Sequence, residues 1–179
     1  MEKLIELITE LNFKKVAAKK FITFRVMDKN FEEEILSDLN LPNSMLSNVK
    51  LDKIEFKNLD LVLSSFDNCS FKNCYLGNLS CINCQFKNCQ FIESNFRDAD
   101  FSKVMFTSCK FLKNSFVETY FESCKFIDTA IEKSDTYDLI QTAIVDSTFG
   151  KSDKSITFNG DFSLIDILLP SNKIDELFD

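Results

Sequence analysis

Between Leu46 and Ile131 the chain repeats every five residues, a period that very few backbones can satisfy. Stepping by five from Phe56 meets Leu61, Phe66, Phe71, Leu76, Cys81, Phe86, Phe91, Phe96, Phe101, Phe106, Phe111, Phe116, Phe121, Phe126 and Ile131, and stepping back meets Leu51 and Leu46. All twelve Phe from Phe56 to Phe126 fall on this one register. A second position, two residues before each centre, is mostly small or apolar: Val49, Ile54, Leu59, Ser64, Cys69, Cys74, Leu79, Cys84, Cys89 and so on to Cys124 and Thr129. Two residues after the centre stand Asn48, Asn58, Asn68, Asn73, Asn78, Asn83, Asn88 and Asp98, residue types that suit tight turns. Five matches neither the 3.6 of a helix nor the 2 of a strand. It matches a chain that turns a corner after every short extended segment. Four such segments make a square coil of about twenty residues, and coils stacked at ~4.8 Å hydrogen-bond to one another.

This pattern resembles the pentapeptide-repeat family, whose consensus is Ala-(Asp/Asn)-Leu-x-x with Leu or Phe at the centre. The resemblance implies an all-β solenoid, a right-handed quadrilateral β-helix, with small α-helical or mixed caps at both ends. It covers about half the chain, residues 46–133, or about 4.5 coils. This sequence departs from the consensus in using Cys often at the small position and Phe more than Leu at the centre.

The flanks read as caps, because the end coil of any stack exposes an apolar surface. Residues 1–45 are expected to form the N-terminal one. Leu4, Ile5, Ile8 and Leu11 share a helical face over residues 2–11, a helix that can continue through Lys14–Lys20. Residues 21–27 read as a strand, and Asn30 as the N-cap of a short helix with Glu32–Glu34 in its first turn. Pro42 marks the start of the repeat. After Ile131 the register fails, and residues 134–179 are expected to form the C-terminal cap: a helix over Ser134–Val145, a hairpin turning at Asn159–Gly160, and a last helix after Pro170.

Composition excludes more than it names. The chain has no His, removing the commonest general base and metal ligand, and only three Gly. No nucleophile–base pair stands out and no carboxylates cluster beyond Asp98 and Asp100, so an enzyme is not expected and no catalytic, cofactor or metal site is assigned. Six Cys occupy the small inward position and Cys81 a central one, so they read as core filler, not as ligands or redox groups. Gly150-Lys151-Ser152 lacks the Gly that a phosphate loop needs five residues earlier, where Val145 stands. Lys14, Lys15, Lys19 and Lys20 read as a solvated face, and direct nucleic-acid binding is not expected. No run reaches the ~20 apolar residues of a membrane helix. No signal core begins the chain, and the cytoplasm is the expected compartment. The net charge of −7 is concentrated at one end: residues 46–131 carry ten basic and ten acidic residues, residues 132–179 four and ten.

Apolar residues at outward positions are the candidate interface: Ile92, Leu112, Val117, Tyr120 and Ile127, with Ile92 directly below Leu112. The competing and preferred reading covers that surface by folding back the segment after Ile131. Function is expected to be protein binding without catalysis, and the resemblance makes immunity or self-protection plausible. Its best-understood members protect DNA gyrase from quinolones or peptide toxins by resembling duplex DNA, and dimerise through a C-terminal end. Two alternatives therefore stay open: a DNA-mimicking protector or inhibitor of gyrase or topoisomerase IV, with homodimerisation through an end of the solenoid, and a scaffold within a larger assembly. The zero net charge of the repeat weighs against the first.

Overall fold

A computed structural model describes residues 3, 4, 6, 7, 24–132, 143–150 and 155–163. The chain is a parallel β-solenoid of about five turns. Three-residue strands alternate exposed–buried–exposed, so only the centre of each points inward, and each pairs in parallel with the strand twenty residues away. The first face is centred on Val26, Leu46, Phe66, Phe86, Phe106 and Phe126, and the second on Phe31, Leu51, Phe71, Phe91, Phe111 and Ile131. The third is centred on Leu36, Phe56, Leu76, Phe96 and Phe116, and the fourth on Leu41, Leu61, Cys81, Phe101 and Phe121.

Every fifth residue from Asp28 to Asp128 has a positive φ of 50–59° and turns the corner. Asn and Asp tolerate this left-handed conformation better than other side-chain-bearing residues, which explains their periodic use. Their side chains also stack between coils: the Asn48 amide donates to Asp28 at 2.9 Å, and that of Asn68 to Asn48 at 2.8 Å. Inside, rings stack along a face and meet edge-on across a corner. Phe66 and Phe86 are 4.6 Å apart and nearly parallel, while Phe86 and Phe91 cross at 65°. An apolar gap of about 20 Å³ lies within the stack, lined by Leu4, Leu41, Leu46 and Leu61 and by Phe rings as far along as Phe101; it is about the size of one water and offers no polar partners for it.

The repeat begins one coil before its expected start at Leu46. Phe31 and Leu36 are centres of strands Asn30–Glu32 and Ile35–Ser37, not of a helix capped by Asn30. Asp28, Glu33 and Asp38 take the corners, and Pro42 lies within the first coil. The boundary at residue 45 therefore moves back to Phe24, although the expected strand near Met27 is present as Arg25–Met27. Ahead of it, Leu4, Glu6 and Leu7 are helical, with Leu7 N–H donating to the Lys3 carbonyl. Leu4 is buried and Leu7 packs on the core. The remaining helix-face positions Ile5, Ile8 and Leu11, and Lys14–Lys20, lie outside the described residues.

The other end also differs from expectation. Ala143–Gly150 is a strand, so the helix read over Ser134–Val145 does not include its last residues; 134–142 lie outside the described residues. Ile144 pairs with Phe121 and Phe149 with Phe126, so the five-residue register resumes after an insertion. One strand thereby covers both the fourth and the first face. Ser155–Ser163 returns antiparallel to it, and the connection lies between Gly150 and Ser155 rather than at Asn159–Gly160. Those two residues sit inside the strand, where pairing shifts from Ser147↔Phe158 to Val145↔Asp161, a β-bulge. Lys151, Ser152 and the helix expected after Pro170 lie outside the described residues.

Candidate interaction surface

The two residues flanking each centre point outward, so every face carries two columns of side chains at coil spacing. Their chemistry differs from face to face. The first face presents Arg25, Lys87 and Lys125 against Asp67, with Met27, Met45 and Met105 exposed. The second mixes Lys50, Lys72 and Lys110 with Glu32 and Asp52. The third has Lys57 and Arg97 with Glu55, and the Tyr75 ring lies over Gly77, where even a methyl group would overlap it. The fourth has Asp60, Asp100 and Glu122 and no Lys or Arg. At the second–third corner Lys53 pairs with Glu33 at 2.7 Å and Lys113 with Glu93 at 3.4 Å, exposed contacts of small energetic worth.

The five candidate interface residues do not form one patch. Ile92 and Leu112 are register partners on the second face, half-buried beside the second–third corner. Val117 ends the third face and Tyr120 begins the fourth, flanking the corner at Glu118, while Ile127 ends the first. The corners separate them into three groups. Of the segment after Ile131 that was expected to fold back over them, Ala143–Gly150 continues the stack, with Ala143 the register partner of Tyr120 and Gly150 that of Ile127, and Ser155–Ser163 lies against that strand.

The cysteines are buried and free. Six of them do more than fill space: each thiol donates to the carbonyl of the centre residue twenty-three positions earlier, as from Cys84 to Leu61 (3.2 Å), Cys109 to Phe86 (3.3 Å) and Cys124 to Phe101 (3.3 Å). Ser94, Asn114 and Thr119 make the same contact with Phe71, Phe91 and Phe96. The small position thus selects a donor as well as a size. Burial pushes the Cys74 thiol up to about 11 and that of Cys124 up to about 12, and holds Cys81 well above the ordinary thiol range. Such thiols stay protonated and are poor nucleophiles at neutral pH. Among the described residues no group of Cys, Asp and Glu is arranged to hold a metal.

The sequence pattern of a pentapeptide repeat region matches residues 79–160, a span that includes the coils from Leu79 to Ile131. The chain is a pentapeptide-repeat protein. A second pattern, that of the SV2A/B/C luminal domain, matches residues 19–116. Among solved structures, the chain is similar to HetL, a pentapeptide repeat protein involved in heterocyst differentiation regulation from the cyanobacterium Nostoc sp. strain PCC 7120. The identity is 12% and the TM-score 0.58, over 82% of this chain and 60% of HetL, so the chain spans less than two thirds of that protein. Rfr23 from the cyanobacterium Cyanothece 51142 aligns with 10% identity and a TM-score of 0.44, over 70% of this chain and 83% of Rfr23. QnrB1, a plasmid-mediated fluoroquinolone resistance protein, aligns with 12% identity and a TM-score of 0.47, over 72% of this chain and 70% of QnrB1. At 12% identity the likeness to HetL is one of fold. No curated protein sequence matches the chain. Among the described residues no helix is long and apolar enough to cross a membrane.

Within this pentapeptide-repeat frame one residue stands out that sequence reasoning passed over. Leu63 occupies a corner with φ of 56°, 58% exposed, and is the one apolar residue among the positive-φ corners described. Beside it, Val62 and Ile82 are register partners on the fourth face. The signal was present at position 63, where Leu replaces the usual Asn or charged residue.

Proposed function

We propose that this pentapeptide-repeat protein is a non-catalytic binding protein that acts on another protein, in an immunity, self-protection or resistance role. The observation that carries the reading is the set of large apolar side chains held outward on a rigid stack: Met27, Ile35, Met45, Leu63, Ile82, Met105 and Tyr120. Dry contacts from fixed positions suit recognition of a folded partner, whereas catalysis requires convergent polar groups in a concave site. The cytoplasm is the compartment proposed.

The second reading, a DNA-like protector or inhibitor of gyrase or topoisomerase IV, draws on the fourth face alone, with Asp60, Asp100 and Glu122 and no cation. Lysines on the other three faces weigh against a phosphate-like array. Capture of partners from the host's lysate at low and high salt separates the two readings. The proposed function expects a protein retained at high salt. Topoisomerase subunits released by salt would favour the second reading, and an empty capture would remove both.

A further inference from the structure

The fourth face joins three features that no other face combines. Its first outward column runs Asn40, Asp60, Ser80, Asp100, Tyr120, and its second Pro42, Val62, Ile82, Ser102, Glu122. The first carries two carboxylates two coils apart, roughly 10 Å. The second carries a short apolar ladder, in which Val62 pairs directly with Ile82. The third feature is Leu63 at the edge of this ladder, its N–H bonded to the Ile82 carbonyl at 2.9 Å. A branched apolar side chain in the left-handed region costs energy that Asn at the same corner largely avoids, and its 58% exposure recovers little by burial. Strain and exposure at one residue are unfavourable to the isolated fold. They become useful when a partner covers the side chain.

From this geometry we infer that the fourth face binds a cationic polypeptide segment of a partner protein that carries aliphatic side chains beside its lysines or arginines. The segment's cations meet Asp60 and Asp100, and its aliphatic groups cover Val62, Leu63 and Ile82. With no Lys or Arg in either column, the face does not neutralise itself. The negative potential is complementary to such a segment, and the apolar ladder separates it from a purely electrostatic array. The inference rests on the protein-binding reading above and assigns it a face and a partner chemistry.

The test uses the full chain and a fluorescent peptide of repeating Lys-Leu-Ser units, followed by anisotropy, with Lys-Ser-Ser and Glu-Leu-Ser peptides as controls. The Lys-Leu-Ser peptide binds best. Leu63→Asn with Ile82→Ser weakens it about tenfold without changing the charge of the protein. Asp60→Asn with Asp100→Asn weakens it and flattens its salt dependence. Equal binding of the Lys-Ser-Ser peptide, or binding unchanged in the first double variant, overturns the inference. So does zero-length cross-linking of the chain's own Lys14, Lys15, Lys19 or Lys20 to Asp60 or Asp100, which means that the face is already filled. The melting temperature of each variant confirms that it is folded. Lysate capture run in parallel with the wild type and the Leu63→Asn/Ile82→Ser variant keeps the two failures apart. A partner held equally by both sinks only the assigned face, whereas a wild type that captures nothing sinks the protein-binding reading itself.

Discussion

At the scale of single residues, most positions serve the stack, and the exceptions are informative. Phe106 is fully buried, stacked on Phe86 at 5.2 Å and Phe126 at 4.9 Å and crossed edge-on by Phe101 and Phe111. Removing its ring leaves a cavity that rigid coils cannot close, so Phe106→Ala costs about 3–5 kcal/mol, read as a lowered denaturant midpoint at constant slope. Leu63 is the opposite case. Leu63→Asn relieves left-handed strain without emptying the core, so the melting temperature rises, by up to about 1 kcal/mol of stability. Asp100 belongs with it on the fourth face. Partial burial first, then the nearby Glu122 carboxylate, raise its pKa above the usual aspartate range. An acid whose folded pKa exceeds its unfolded value leaves stability intact below the unfolded value and lowers it as pH climbs through the folded one. Asp100→Asn therefore raises the melting temperature at neutral pH, and the gain vanishes as the pH falls below the unfolded aspartate range.

At the scale of elements, the caps are where the chain departs from simple repetition. Glu34 occupies a small inward position of the first coil, yet its carboxylate accepts the Leu4 N–H at 2.9 Å and is itself buried. It satisfies an orphan donor at the start of the helical turn, as a capping residue does. Glu34→Ala costs about 1–2 kcal/mol, detectable as loss of amide-exchange protection at Leu7 before the coils open. This element also shows what the sequence made legible. The coils were readable from Phe56 to Phe126 because one large residue type marks every centre. The first coil was not, because Val26, Phe31, Leu36 and Leu41 keep the step of five while Glu32–Glu34 imitates the acidic first turn of a helix. The strand Ala143–Gly150 was hidden by the insertion before it. The candidate surface was less legible still. Ile92 and Leu112 were rightly placed one above the other, but Val117 and Tyr120 flank the corner at Glu118 and Ile127 lies beside the corner at Asp128. The bonds that Cys84 and Cys124 donate span twenty-three residues, a separation that no local motif reveals. The zero net charge of the repeat concealed a fourth face without cations, visible only once the chain is wound in twenties.

At the scale of the whole molecule, stability is a sum over neighbouring coils closed at both ends. Removing everything after Glu132 bares the apolar end of the last coil, with Phe121 and Phe126 among it, and frees the edges that Ala143–Gly150 occupies. Unpaired edges over an apolar end template further strands. The truncated chain is expected to elute from size exclusion as high-order aggregate, whereas the full chain elutes as a discrete species; equal elution would mean that the closing strand is dispensable. The position of Leu4 and Leu7 against the first coil has a consequence in time. A ribosome releases the N-terminus first, so the material that seals the starting end is available before the second coil has been made. Each new coil then docks on a finished one. During synthesis the growing rod has a single sticky end, which moves outward until the last strand shuts it.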